Sequence, residues 1–182
     1  RVLFRSEEVV LMTASLARLL RQSISNEDEV VPLAREVEYA KGYLTIQKMR
    51  YKDKLEFEID VEPSILNIPL IKLVLQPIIE NAIYHGLKYK ESKGLLQVKG
   101  FMKDGNAVLQ VIDNGVGMDE ETLSHIYDKH KVNYHSNGVG VYNVQKRLKL
   151  YYGENYGITY ESEKGVGTTA TITIPGIQEE SI

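Results

Sequence analysis

The chain has 182 residues, 43% of them hydrophobic and 26% charged, with a formal net charge of -3. Recurrent Leu, Ile and Val exclude global disorder, zero cysteines exclude a disulfide scaffold or thiolate metal site and suit a reducing cytosol, and the acidic balance argues against a general nucleic-acid binder. No apolar run approaches the roughly 20 residues that span a bilayer, and no signal-peptide pattern opens the chain. The length suits one domain plus an appendage, and the start at Arg1 is read as the start of a piece of something longer.

Two helical patterns come first. Over Glu7 to Gln22, apolar Val9, Met12, Leu16, Leu19 and Leu20 fall at helical spacing. Polar residues Ser23 to Glu29 break the pattern. A second helix is expected from Pro32, a favourable first helical residue, to Tyr51, with the seam Leu33, Val37, Ala40, Leu44 and Tyr51 packed against a domain. Leu55 to Val61 alternates apolar and charged residues, the pattern of a half-buried strand. Pro69 to His85 reads as a helix burying Ile71, Leu75, Ile78 and Ala82. Leu95 to Met102 and Ala107 to Ile112 read as a hairpin across Lys103-Asp104-Gly105-Asn106, a tight-turn composition.

Asn114 to Asn137 lacks periodicity and reads as a long loop with room for a helical turn; loops of that length in a compact domain are usually functional or mobile. A helix follows from Val139 to Tyr152. Two closing strands, Ile158 to Ser162 and Thr168 to Ile174, flank Glu163-Lys164-Gly165-Val166-Gly167. Paired neighbouring strands imply a largely antiparallel sheet with helices on one face, an α+β layer architecture.

Four segments carry possible chemistry. On a helix Asn81, His85 and Lys88 share one face at i, i+4 and i+7, beside the carboxylate of Glu80. An amide oxygen is a hard-cation ligand, and a carboxylate can orient a water or accept a proton. Asp113-Asn114-Gly115-Val116-Gly117 ends a strand, where an aspartate can accept from an exocyclic amine and glycines let backbone approach a flat ring. Gly138-Val139-Gly140 opens a helix, a position that favours phosphate. Gly165-Val166-Gly167-Thr168 is the fourth. Taken singly, each also reads as plain structure: a solvated helix face, an ordinary turn, a hinge and a hairpin turn. His125, His130 and His135 recur at steps of five, a poor helical spacing for two ligands, and read as polar loop residues rather than a metal site.

The order of these segments is more specific than any one of them. Leu75-Gln76-Pro77-Ile78-Ile79-Glu80-Asn81-Ala82-Ile83-Tyr84-His85-Gly86 resembles the N box of bacterial sensor histidine kinases. Asp113-Asn114-Gly115-Val116-Gly117-Met118 resembles their first glycine box, and Gly138 to Val144 with Lys146-Arg147-Leu148 the second. Gly165 to Thr168 is similar to the closing glycine segment. The Gln-Pro within the N box, the following His-Gly and the upstream run Val31-Pro32-Leu33 through Glu36, Tyr43-Leu44, Ile46 and Arg50 resemble the LytS/YesM type.

That resemblance implies a two-layer α/β sandwich of the Bergerat ATPase type: a mixed, mostly antiparallel sheet under three helices, preceded by one or two N-terminal helices. Residues 1–30 would be a remnant of a dimerisation and phosphoacceptor hairpin, and residues 31–182 the catalytic ATP-binding domain. It implies Asn81 as the Mg²⁺ ligand, Glu80 as the acidic residue acting on the attacking group, and Asp113 as acceptor of the adenine amine. Gly115, Gly117 and Met118 would line the ring, and Gly138, Val139 and Gly140 would meet the phosphates. Thr168 would support adenine through water, His85 and Lys88 would be secondary contacts, and Met118 to Asn137 would form the ATP lid.

Departures are equally specific. Tyr84 stands where a lysine is common, Val141 where leucine is usual, and no His-Phe-Leu-Tyr-Asn-like box occurs. The phosphoacceptor helix is therefore expected before Arg1. ATP and Mg²⁺ would be the cofactors, with γ-phosphoryl transfer to that histidine and relay to an aspartate. Expected partners are a second copy in the full-length protein and a response regulator, with no nucleic acid and no membrane contact by this stretch. The stretch would be cytoplasmic and the full-length protein anchored in the bacterial cell membrane. Another Bergerat-fold ATPase, such as an anti-sigma-factor serine kinase, and a dimerisation module with a degenerate nucleotide site are the competing readings.

Overall fold

The computed structural model describes residues 29–126 and 138–176. In chain order the elements are β1 (Val30–Pro32), α1 (Leu33–Tyr51), β2 (Leu55–Val61), β3 (Pro69–Ile71), α2 (Leu75–Asn81), β4 (Gly94–Lys103), β5 (Asn106–Asp113), α3 (Glu120–Ser124), α4 (Gly138–Tyr152), β6 (Gly157–Glu163) and β7 (Gly167–Pro175). The helix expected over residues 7 to 22 lies outside the described residues, as do residues 127–137 of the long loop.

Alternation builds the main sheet. Five strands lie in the order β2-β4-β5-β7-β6; β2 runs parallel to β4 and the other neighbours are antiparallel. The β4–β5 hairpin closes at Lys103↔Asn106 through Asp104 (φ 50°) and Gly105 (φ 78°), the paired positive angles that match strand twist. Leu96 and Val98 of β4, Leu109 and Val111 of β5, Ala170 and Ile172 of β7 and Ile158 of β6 are buried on one face. The intervening Gln97, Gln110, Thr169 and Thr171 face the other way, and Gln110 Nε2 donates to Thr171 Oγ1 at 3.2 Å.

The helices cover the apolar face. α1 contributes Leu33, Ala40 and Leu44, α2 contributes Leu75, Ile78 and Ile79, and α4 contributes Val141, Val144 and Leu148. Each fully buried Leu or Ile is worth roughly 1.5–3 kcal/mol of apolar transfer. This is the expected α+β layer, with α1 on the expected seam and Val37 and Tyr51 packed against its margin.

The helix expected from Pro69 departs from the sequence reading. Pro69–Ile71 is a strand, β3, paired antiparallel to β1 through Val30↔Ile71, Val31↔Leu70 and Pro32↔Pro69. Tyr152 at the end of α4 fixes the same strand: its hydroxyl donates to Pro69 O at 3.1 Å and accepts from Ile71 N at 3.2 Å. Backbone groups satisfied this way have no use for a helical turn, so α2 starts only at Leu75. Its C-terminal continuation, Ala82–Leu87, is wound as a π-helix, with Lys88 N donating to Ile83 O at 2.9 Å. Such widened turns concentrate at functional sites.

Candidate functional site

A narrow cavity of about 40 Å³ opens between α2 with its widened turn and the ends of β5, β6 and β7. Ile78, Ala82, Val111, Ala170, Met118 and Tyr160 give it apolar walls, and Asn81, His85, Asp113 and Thr168 supply its polar groups. Sheet register builds one side, because Leu96, Asp113, Thr168 and Ser162 form a row across β4, β5, β7 and β6.

Asp113 is 5% exposed. Its Oδ1 accepts from Gly115 N at 2.8 Å. Burial pushes its carboxyl up to about 6, although the backbone N–H groups of Gly115 and Thr168 and the charge of Lys90 pull the other way. A largely desolvated carboxylate bordering a cavity is a strong acceptor for a ligand N–H.

The neighbouring hydroxyls are ordered by their own bonds. Ser162 Oγ donates to Gly167 O at 3.0 Å and accepts from Met118 N at 2.8 Å. Its single proton is then spent, so Thr168 Oγ1, 2.9 Å away, is the donor between the two hydroxyls. The lone pairs of Thr168 are thereby left to accept from the cavity side.

Two close approaches set the shape. A Cβ on Gly115 would meet Gly86 O at 2.4 Å, and one on Gly86 would meet Asp113 Oδ1 at 2.6 Å. Gly117 adopts φ 63°, and a Cβ there would lie 1.9 Å from Glu163 O. Val116 ties these segments together: its N–H donates to Gly86 O at 3.0 Å and its carbonyl accepts from Gly165 N at 2.7 Å.

On the helix side, burial and then the nearby Lys88 charge hold His85 below the usual imidazole value, so it is neutral at pH 7. Glu80 lies one residue before Asn81, and its Oε1 accepts from Gln76 Nε2 at 2.9 Å. Among the described residues no cluster of His, Cys, Asp or Glu could hold a metal ion by itself.

A sequence profile of the histidine kinase-, DNA gyrase B- and HSP90-like ATPase family matches residues 67–178, and a histidine kinase profile matches residues 2–55. The chain belongs to this ATPase family, in its sensor histidine kinase branch. It is 32% identical over 171 residues to the sensor histidine kinase YesM of Bacillus subtilis, covering 94% of this chain and 28% of that protein. It is also 32% identical over 153 residues to the sensor protein LytS of Oceanobacillus iheyensis, covering 82% and 26%. The chain thus spans less than a third of these curated relatives. Among solved structures, the histidine kinase domain of the Erythrobacter litoralis EL346 blue-light activated kinase superposes with TM-score 0.59 at 15% identity, over 93% of this chain and 80% of that one. The catalytic domain of histidine kinase ThkA superposes with TM-score 0.60 at 16% identity, over 82% and 99%. At those identities the likeness speaks for the fold.

Of the residues singled out from the sequence of this histidine kinase-like ATPase, the cavity gathers Asn81, His85, Asp113, Gly117, Met118 and Thr168. Gly115 sits immediately behind Asp113. Gly138 and Val139 open α4, and a Cβ on Gly140 would stand 3.3 Å from Pro77 Cβ, so this glycine seats α4 on α2. Lys88 does not line the cavity: the widened turn carries it outward, and its ammonium lies 4.2 Å from the centre of the Tyr84 ring. It borders instead a separate cavity of about 120 Å³ with Tyr51, Lys54 and Lys90.

Gly86, Tyr160 and Ala170 also line the cavity and Ser162 bonds to Thr168, although the sequence reading assigns none of the four a site role. Gly86 carried a readable signal, a glycine directly after His85 within an otherwise good helix. Ser162 and Tyr160 are visible only through cross-strand register. Among the described residues no helix is long and apolar enough to cross a membrane.

Proposed function

We propose that this chain is the nucleotide-binding catalytic part of a sensor histidine kinase that binds ATP with Mg²⁺ and passes the γ-phosphoryl group to a histidine imidazole. The observation that carries the reading is that the desolvated Asp113 lines the same cavity as the Asn81 amide. The carboxylate suits the adenine amino group as a charged acceptor, and Thr168 Oγ1 accepts beside it.

Mg²⁺ fits the helix end only as part of a metal–nucleotide pair. One amide oxygen, with no supporting carboxylate cluster among the described residues, is too poor a donor set for a free ion. Mg²⁺, however, commonly keeps its waters and binds through one protein ligand plus substrate phosphates. When bound, the ion supplies charge neutralisation to the transferring phosphoryl group. The chain's own residues would do the rest. Asn81 orients the triphosphate, and Glu80, steadied by Gln76, accepts the proton of the attacking imidazole. The apolar walls exclude water. The nitrogen–phosphorus bond forms as the bond to the ADP oxygen breaks.

Family kinship supports a second copy and a response-regulator aspartate as the partners of the longer protein, anchored in the cell membrane, with this stretch on the cytoplasmic side and touching neither lipid nor nucleic acid. Residues 31–182 would be the catalytic unit and residues 1–30 the remnant of the hairpin carrying the acceptor. Gly138, Val139 and Gly140 would approach the phosphates from the start of α4. Calorimetric titration with a non-hydrolysable ATP analogue tests the reading. One site, tightened by Mg²⁺ and not shared with GTP, is expected. Equal binding of GTP, or an affinity that Mg²⁺ does not change, would overturn it.

A further inference from the structure

α2 begins without a cap of its own. Val74 makes no side-chain capping bond, and Leu73 before it holds φ 59°, a left-handed conformation that disfavours any residue with a Cβ. The amides at this end are taken instead by a carboxylate from another helix. Glu36 of α1 is 2% exposed. Its Oε1 accepts from Leu73 N at 2.8 Å, and its Oε2 accepts from Val74 N at 2.9 Å and Leu75 N at 3.1 Å. A negative charge also matches the positive end of a helix.

A second set of bonds links the same two helices. β1, which leads into α1, pairs residue for residue with β3, which leads toward α2. Leu33 N donates to Ile68 O and Ala34 N to Leu66 O, both at 2.9 Å, so the start of α1 is tied to the segment before β3. α1 and the N-terminal end of α2 are therefore joined by side-chain and backbone bonds together. Asn81 lies at the other end of α2, where the helix widens. Asp113 and Thr168 are held by the sheet, and Asp113 meets the continuation of α2 within its widened turn, at Gly86.

We propose that Glu36 is a positioning residue: it couples α1 to the phosphate end of the nucleotide site by fixing the helix that carries Asn81, leaving the adenine end to the sheet. This inference rests on the Mg²⁺–ATP reading. Displacement of α1 would be transmitted to Asn81 with little effect on Asp113, so the site would respond to what lies upstream through its metal–phosphate half.

The test is Glu36→Gln in the full 182-residue chain, followed by melting curves and by calorimetry with two probes: adenosine without Mg²⁺, and a non-hydrolysable ATP analogue with and without Mg²⁺. Glutamine keeps the shape but turns an amide N–H₂ toward backbone donors. Adenosine affinity should stay within about twofold while the tightening produced by Mg²⁺ falls by about tenfold or more, within the usual range of coupling between sites. Retention of the Mg²⁺ effect, or a proportional loss for both probes, would overturn the proposal. If the variant fails to fold, Glu36→Gln with Leu73→Gly relieves the left-handed residue and is read the same way. Amide exchange in the wild-type chain is an independent check. Protection of Leu73, Val74 and Leu75 should rise several-fold more with the Mg²⁺–analogue than with adenosine at equal occupancy. Equal protection would overturn the coupling. A wild-type chain that binds adenosine but not the analogue, or neither, would overturn the nucleotide reading itself.

Discussion

Replacing Asp113 by Asn should make the unliganded protein more stable and the liganded one weaker. Burial lifts the carboxyl from its ordinary 3.8 to about 6. A gap of about two pH units corresponds to about 3 kcal/mol. Because the folded value is the raised one, this contribution is fully present below about pH 4 and is lost as pH rises through about 6. At neutral pH the ionised group therefore burdens the fold. The amide removes that burden, but its one oxygen serves only one of the two backbone donors, Gly115 and Thr168. Losing one such bond costs about 1 kcal/mol, which leaves a net gain of roughly 1–2 kcal/mol near pH 8. Urea unfolding of both proteins near pH 5 and near pH 8 reads this directly, and the advantage of the variant should shrink or reverse at the lower pH. On the proposal that the carboxylate accepts from the adenine amine, its loss should weaken nucleotide by about 1.5–3 kcal/mol, roughly 10- to 150-fold. A stability difference that does not change with pH would refute the desolvated carboxylate, and unchanged affinity would refute its contact with adenine.

Other perturbations probe the rest of the site. Gly86→Ala places a methyl 2.6 Å from Asp113 Oδ1; a stability loss of roughly 1–3 kcal/mol and loss of nucleotide binding should follow, measurable by melting and calorimetry. Asn81→Ala should abolish the tightening by Mg²⁺ while leaving adenosine affinity within about twofold, as the proposed role of the amide as a metal contact requires. Tyr152→Phe removes the hydroxyl that joins Pro69 O and Ile71 N. Unfolding should be easier by roughly 1–2 kcal/mol with unchanged nucleotide affinity, and a loss of affinity instead would mean that α4 and β3 shape the cavity.

What a sequence can announce is local. Leu55 to Val61 alternates because each second side chain enters the core, and Asp104-Gly105 tolerates the positive angles that a two-residue hairpin demands, so both were readable. Asp113 was also readable, because a strand running into Asn-Gly marks its end. The strand at Pro69 was not. Ile71, Leu75, Ile78 and Ala82 are all buried, so they fit a helical step even though Ile71 is buried as a strand residue. The partners that decide its conformation, Val30 to Pro32 and Tyr152, are distant in sequence. Glu36 eluded the pattern for a related reason. A carboxylate on a buried seam looks like a polar interruption until its three amide donors, 37 to 39 residues further on, come into view. The outward swing of Lys88 follows from the widened turn, which a spacing of i, i+4 and i+7 assumes away.

Among the described residues, the strand order leaves β2 and β6 with one open side each. Unpaired strand edges are templates for adding another strand from a second molecule. Here both carry acids at alternate positions, Glu56, Glu58 and Asp60 on β2 and Glu161 and Glu163 on β6. Among the described residues, the ion pairs of these acids are those of Glu56 with Lys48 and Lys93, so most of the negative charge stays on the rims. Two copies approaching rim to rim would meet like charges, which disfavours growth of the sheet from one molecule into the next. Ionic strength then sets how strongly that repulsion acts.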